Sequence, residues 1–282
     1  MDWSRLLNQH LSGSSLVRSN RLTGGVSADV YGLTLQDGRQ IVARIEGATY
    51  SGLGVEKEFE LLNALHKAGV IVPRPLAVDL NGANPCLLMA FCDGEKRFDD
   101  LDLGQRLSVM AKALLGLHQL ALDIELPSRT DPLPECLDYL PEGEEWTRFR
   151  TGLAGLNPPP FEGREAVLHG DFWPGNLLWQ GNELTAILDW EDAAIGDPLS
   201  DIACACLELE YVYGKAGAEA FLAAYQALWP VDPERFALWQ IYVSAAAQRF
   251  MGGWGMAPEK EAHMRSVAMA SVRRAGEKLG LI

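Results

Sequence analysis

A chain of 282 residues, 48% hydrophobic and 22% charged, has ordinary globular composition and enough length for a sizeable core, in two lobes rather than one compact ball. Its formal net charge of −14 argues against a nucleic-acid partner, which demands clustered Lys and Arg; an acidic field favours cationic substrates, although acidity also serves solubility alone. No apolar run approaches the roughly 18 residues of a membrane span.

Met1-Asp2-Trp3-Ser4-Arg5 lacks a basic region followed by an apolar core, so no signal peptide is expected. The five cysteines show no disulfide pattern, and Cys204 and Cys206 have neither a second pair nor a nearby His for zinc. They read as small buried hydrophobes in a reducing compartment, and a cytoplasmic protein is the expectation. The sequence carries no signature of oligomeric state.

Val17–Leu22, Val30–Leu35 and Gln40–Ile45 read as strands, with Asp37-Gly38 turning the second into the third. Gly47–Gly54 reads as a loop, and a helix follows over Val55–Ala68, stopped at Gly69. Val70-Ile71-Val72-Pro73 and Cys86–Phe91 read as two further strands, with an Asn81-Gly82 turn before the second.

After Asp93-Gly94 the pattern changes: Leu103, Leu107, Met110, Leu114 and Leu117 recur at helical spacing. From Pro127 to Gly163 the chain is rich in Pro, Gly and acidic residues and reads as a long irregular connection. Leu177-Leu178-Trp179 and Leu184–Ile187 flank a turn at Gly181-Asn182, and the chain from about Leu199 reads as mostly helical. The expected fold is α+β, with a small β-rich lobe over residues 1–93 and a large, mainly helical lobe over 94–282. A hinge near Phe91–Gly94 would leave a cleft suited to a nucleotide.

The chemistry concentrates in His169-Gly170-Asp171-Phe172-Trp173-Pro174-Gly175-Asn176 and Ile187-Leu188-Asp189-Trp190. Asp171 is followed by an asparagine five residues on and a second aspartate eighteen residues on. Phosphoryl transfer in protein kinases uses that set: a base for the attacking hydroxyl, an amide oxygen for one Mg²⁺ and a carboxylate for the metals. Asp171 is the candidate base, and Asn176 and Asp189 are the candidate metal ligands. An aspartate ending an apolar strand is costly unless it meets a metal or hydrogen-bond donors.

In Ile41-Val42-Ala43-Arg44-Ile45, strand alternation puts Val42 and Arg44 on one face, Val42 to pack on a base and Arg44 to reach phosphates. On the following helix Glu58 shares a face with Leu61, Leu62 and Leu65, so its carboxylate wants a cation, and Arg44 is the candidate. Gly24, Gly25 and Ser27, between two strands, form a candidate phosphate-covering loop, although Gly-Gly is also an ordinary turn. No G-x-x-x-x-G-K-[ST] sequence is present, which excludes the P-loop NTPases.

His169 reads as a scaffold for its loop, and His118, on a Leu-rich helix face, as a satisfied core histidine. Asp197 and Asp201 fit an N-cap followed by the first turn of a helix; the alternative for one of them is to brace the Asp171 loop through its backbone amides, and both read as structural support rather than catalysis.

Taken in order, these residues resemble the aminoglycoside phosphotransferase-like family of small-molecule kinases, which share the protein-kinase fold. The resemblance spans roughly residues 20–205 and includes Val72-Pro73-Arg74-Pro75 and Gly196-Asp197-Pro198 besides the motifs above. It implies ATP or GTP as donor with Mg²⁺, the base held by the backbone of Met89, Ala90, Phe91 and Cys92, and a small-molecule hydroxyl as acceptor. Glycine at 170 replaces the arginine of the eukaryotic His-Arg-Asp triplet, and arginine at 44 replaces the family's usual lysine.

Family members act on aminoglycosides, macrolides, choline-like amines, ketosamines and homoserine, and Trp173 is similar to the loop of the ketosamine kinases. Glu191, Asp192, Trp239, Tyr242 and Trp254 are candidate acceptor groups, the aromatics doubling as candidates for helix packing. Two rival classes are a nucleotide-binding pseudokinase, encouraged by Arg44, and a metallophosphohydrolase, for which the five histidines are too scattered.

Overall fold

A computed structural model describes residues 2–22, 28–47, 52–81 and 84–282. The chain divides into two compact units, one of residues 1–96, 122–124 and 176–192, the other of residues 97–121, 125–175 and 193–282. Segment 176–192, read from sequence as part of the later lobe, thus packs with the first ninety-six residues.

The first unit opens with a short helix absent from the sequence reading, α1 (Trp3–His10), whose Asp2 cap accepts the Arg5 N–H at 3.0 Å. Leu6 and Leu7 are fully buried, and Trp3 packs against the core they join. Five strands follow as an antiparallel sheet: β1 (Leu16–Arg21), β2 (Ala28–Leu35), β3 (Gln40–Glu46), β4 (Pro75–Asp79) and β5 (Cys86–Ala90), in the order β1-β2-β3-β5-β4. Leu33, Leu35, Ile41, Ala43, Ile45, Cys86 and Leu88 pack with Leu6 and Leu7 into one core. Residues alternate between faces along a strand, so Val42 and Arg44 turn away from the core that takes Ile41, Ala43 and Ile45.

Helix α2 (Val55–Lys67) buries Val55, Glu58, Leu61, Leu62 and Leu65, and the chain reverses at Gly69, φ +83°. The strand expected at Val70–Pro73 is displaced to β4. Pro73 and Pro75 lack N–H donors, so 70–74 joins no ladder, Val72 N–H instead bonding the Val70 carbonyl at 2.9 Å, while Pro75 is tolerated as the first residue of a strand. Its carbonyls are still used: Ile187 N–H bonds Ile71 and Ala90 N–H bonds Arg74, both at 2.8 Å. A hairpin completes this unit, β8 (Leu177–Gln180) and β9 (Glu183–Ile187), turning at Gly181 with φ +58°.

The second unit begins with α3 (Leu103–His118), buried along Leu107, Met110, Leu114 and Leu117 as its spacing requires. The stretch read as an irregular connection contains β6 (Ser128–Arg129), α4 (Glu135–Tyr139) and α5 (Glu144–Gly155). Helix α5 hides in sequence because only Trp146, Phe149 and Leu153 are large and apolar, yet all three are buried at helical spacing against Leu238, Ile241 and Val272.

Strands β7 (Ala166–Leu168) and β10 (Ala194–Gly196) join β6 in the order β6-β10-β7. The rest is helical: α6 (Leu199–Gln226), broken at Gly214 with φ 68°, then α7 (Pro233–Phe250) and α8 (Pro258–Lys278). Among the described residues no helix is long and apolar enough to cross a membrane.

Candidate active site

In the first unit a cavity of about 290 Å³ is lined by Val42, Arg44, Glu58, Met89, Ala90, Phe91, Cys92, Asn176 and Asp189, nine residues singled out from sequence. Leu22, Ala28, Val30, Leu178 and Lys96 complete much of the wall. Lys96 was missed, having no periodicity or motif to mark it. Gly24, Gly25 and Ser27 lie outside the described residues.

Sheet register explains why these side chains meet. Val42 stands opposite Gly32 and Met89, and Arg44 opposite Val30 and Leu87, so one face of three adjacent strands supplies the cavity wall. Two N–H groups of the 89–92 segment serve the fold, Ala90 bonding Arg74 at 2.8 Å and Phe91 bonding Gln40 at 3.3 Å.

Arg44 is 4% exposed and paired with Glu58, its Nη1 donating to Oε2 at 2.8 Å. Its Nη2 donates to Glu191 and stands 4.0 Å from Asp189 Oδ1. Burial pushes the Glu58 carboxyl up to about 7; Arg44 pulls it down, and Asp189 and Glu191 push it up again. Glu191, read from sequence as an acceptor group, is therefore a partner of Arg44.

Asp189 adopts φ 64°, a left-handed conformation uncommon outside glycine, though aspartate tolerates it better than most residues. Its neighbours hold it there: Leu188 N–H bonds the Asn176 carbonyl at 2.8 Å, Trp190 Nε1–H bonds Ile187 at 3.0 Å, and Leu53 N–H bonds Glu191 at 2.7 Å. Strain so over-determined concentrates at functional sites. Asn176 is 6% exposed.

In the second unit Asp171 sits on a loop tied down from beneath. Asp201, fully buried in the first turn of α6, accepts the N–H groups of His169 at 2.7 Å and Gly170 at 2.8 Å. His169 Nδ1 accepts the Asp171 N–H at 3.2 Å. His118 is a satisfied core histidine, with Nδ1 2.8 Å from Tyr225 Oη and Nε2 3.3 Å from Asp201. Gly175 admits no side chain, because a Cβ would lie 2.1 Å from the Trp173 ring. Phe98 packs on that ring with centroids 6.0 Å apart.

Asp197 is structural: it accepts the Leu199 N–H at 2.9 Å, the Trp239 indole N–H at 2.6 Å and the Arg235 guanidinium. Trp239, a candidate acceptor group, is thereby corrected to a core residue, fully buried with its one polar atom spent on Asp197. Tyr242 donates its hydroxyl to Glu135 at 2.9 Å and packs edge-on against Trp239 and Tyr139. Trp254 packs on the cluster of Leu207, Met251 and Met264. Asp192 is exposed.

Sequence reading also passed over Glu208, which follows Asp201 and Cys204 along one face of α6. Burial pushes its carboxyl up to about 8, with the Asp171 charge adding and Lys260 opposing. A group protonated when folded and ionised when unfolded stabilises at low pH, and that contribution is lost as pH rises from the ordinary 4.5 through about 8. Glu208→Gln should flatten the decline of Tm between pH 5 and 8; an unchanged slope in a melting series would refute the assignment.

A family-wide sequence model described as the phosphotransferase enzyme family matches residues 19–239. Homoserine kinase of Chelativorans sp. is 29% identical over 215 residues, covering 68% of this chain and 65% of that enzyme. Acyl-CoA dehydrogenase family member 10 of Mus musculus is 28% identical over 211 residues, 65% of this chain and 20% of that protein. The chain thus spans from a fifth to somewhat under two thirds of these relatives. Among solved structures, amicoumacin kinase hAmiN in complex with AMP-PNP, Ca²⁺ and Ami superposes with a TM-score of 0.67 at 14% identity, over 97% of this chain and 94% of that one. The fold is the protein-kinase-like fold of these phosphotransferases.

Proposed function

We propose, because this chain belongs to the phosphotransferase enzyme family, that it transfers the γ-phosphoryl group of ATP or GTP to a hydroxyl of a small molecule, with Mg²⁺. The observation that carries the reading is the cavity of the first unit. Val30, Val42, Met89 and Leu178 give it apolar walls suited to a base, while Arg44, Asn176 and Asp189 bring polar groups suited to phosphates and metal. The AMP-PNP and Ca²⁺ of the amicoumacin kinase complex support a nucleotide with a divalent cation.

The donor set fits Mg²⁺: the Asn176 amide and Asp189 carboxylate are hard oxygen ligands on the wall of one cavity. A metal held by Asn176 and Asp189 would offset the charge of the phosphates. The chain's own residues do the rest. Glu58 of α2, paired with Arg44, fixes the buried guanidinium on the cavity wall. Asp171 accepts or orients the proton of the attacking hydroxyl, on a loop whose path the Asp201 carboxylate sets.

The homoserine kinase relative supports a small metabolite as acceptor. The test is an acceptor panel of homoserine, choline, ketosamines, amino sugars and aminoglycosides, scored by ADP or GDP release with Mg²⁺. Release with one class identifies the acceptor. If neither Mg-ATP nor Mg-GTP binds in calorimetry, the kinase reading falls; tight binding with no turnover on any panel member favours the pseudokinase.

A further inference from the structure

Arg44 is contested by three acids. Nη1 is bonded to Glu58 at 2.8 Å; Nη2 is bonded to Glu191, with Asp189 4.0 Å away. With the Arg44 side chain 5% exposed and that of Glu58 2%, solvent screens the Arg44–Glu58 pair far less than it would a surface pair. A lysine offers one ammonium point charge, whereas the planar fork of arginine grips two carboxylates at once. The arginine at 44 and the glutamate at 191 thus form one arrangement. Glu191 is anchored as well by its backbone, since its carbonyl accepts the Leu53 N–H just ahead of α2.

Three acids crowd one guanidinium at the polar end of the cavity, whose lining also carries Lys96. On the reading above the nucleotide phosphates approach this same end. A phosphate oxygen seeks the same Nη2 donor and carries the same sign as Glu191, so the two compete. A divalent cation reverses the balance, because it brings the positive charge that Arg44 has already shared out.

We propose that Glu191 stands in for phosphate on Arg44 and acts as a specificity-determining residue, rejecting metal-free nucleotide and admitting nucleotide only with its cation. This rests on the kinase reading and assigns to Glu191 a role distinct from that of Glu58, which faces the other end of the fork.

The test is calorimetric titration of the full chain with ATP in EDTA and in Mg²⁺, comparing wild type, Glu191→Gln and Glu56→Gln. Glu56 is an exposed acid of α2 whose removal changes net charge equally. In Glu191→Gln the EDTA affinity should rise about tenfold, equivalent to about 1.4 kcal/mol, narrowing the ratio between Mg²⁺ and EDTA. Glu56→Gln should keep the wild-type ratio. If Glu191→Gln melts below the assay temperature, Glu191→Asp, one methylene shorter, should move the ratio in the same direction. A wild-type ratio in the Glu191 variants, or an equal change in Glu56→Gln, overturns the proposal and leaves the kinase reading standing. Wild-type protein that binds neither ATP nor GTP even with Mg²⁺ overturns both.

Discussion

Replacing Asp171 by Asn should lower turnover by on the order of 10³-fold while leaving the affinity for Mg-nucleotide within about twofold of wild type. A general base typically supplies a factor of 10²–10⁴, and the amide keeps the size of the side chain while losing its capacity to take a proton. Asp171 belongs to the loop braced by His169 and Asp201, not to the cavity lining of the first unit, so its loss strikes chemistry rather than nucleotide capture. The signature is therefore a fall in kcat without a matching change in nucleotide KM. Full turnover by Asp171→Asn on the acceptor found by the panel would remove Asp171 from the role of base. A collapse of nucleotide affinity would mean that it also shapes the cavity.

Asp201→Ala should be the most destabilising single change in the second unit, costing roughly 3–5 kcal/mol. The carboxylate is fully buried and receives two backbone N–H groups at 2.7 and 2.8 Å, with His118 Nε2 at 3.3 Å. Burial alone would raise its pKa, yet the His118 hydrogen bond and the charges of His118 and His169 hold it below the ordinary carboxylate value. Alanine strands both amides without water, each worth about 1–3 kcal/mol. At roughly 2–4 °C per kcal/mol for a domain of this size, Tm should fall by about 10 °C. Asp201→Asn, which keeps one acceptor oxygen, should lose less. Should Asp201→Ala melt with wild type, the loop that bears Asp171 must be held by other contacts.

Features of local origin were readable from the sequence. Glu58 betrayed itself by sharing a helical face with three leucines, and the cation such a position demands is Arg44, 2.8 Å away. The turn at Gly181-Asn182 and the helix of Leu107, Met110 and Leu114 were legible for the same reason: period and punctuation suffice. The missed features lack such marks. Helix α5 shows only three large apolar residues among Glu, Thr and Arg, and α1, with Trp3, Leu6 and Leu7, is only eight residues long, too short for a period to repeat. The bond from Arg44 to Glu191 spans 147 positions and follows no periodicity. Trp239 shows the reverse error, for an aromatic on a helix looks the same in sequence whether it faces a ligand or, as here, donates to a buried Asp197.

The composite make-up of the first unit has a consequence for engineering. A fragment ended at Lys96 would carry β1–β5 and α2 but leave behind Asn176, Leu178, Leu188, Asp189 and Trp190, all of which line the cavity. Arg44 would keep Glu58 and lose Glu191, and Ile71 would lose the Ile187 amide. No single cut excises the module. Grafting it onto another scaffold, or exchanging it between homologues, requires at least two segments moved together, and a chimaera joined at residue 93 or 96 should inherit Arg44 from one parent and its second acid from the other.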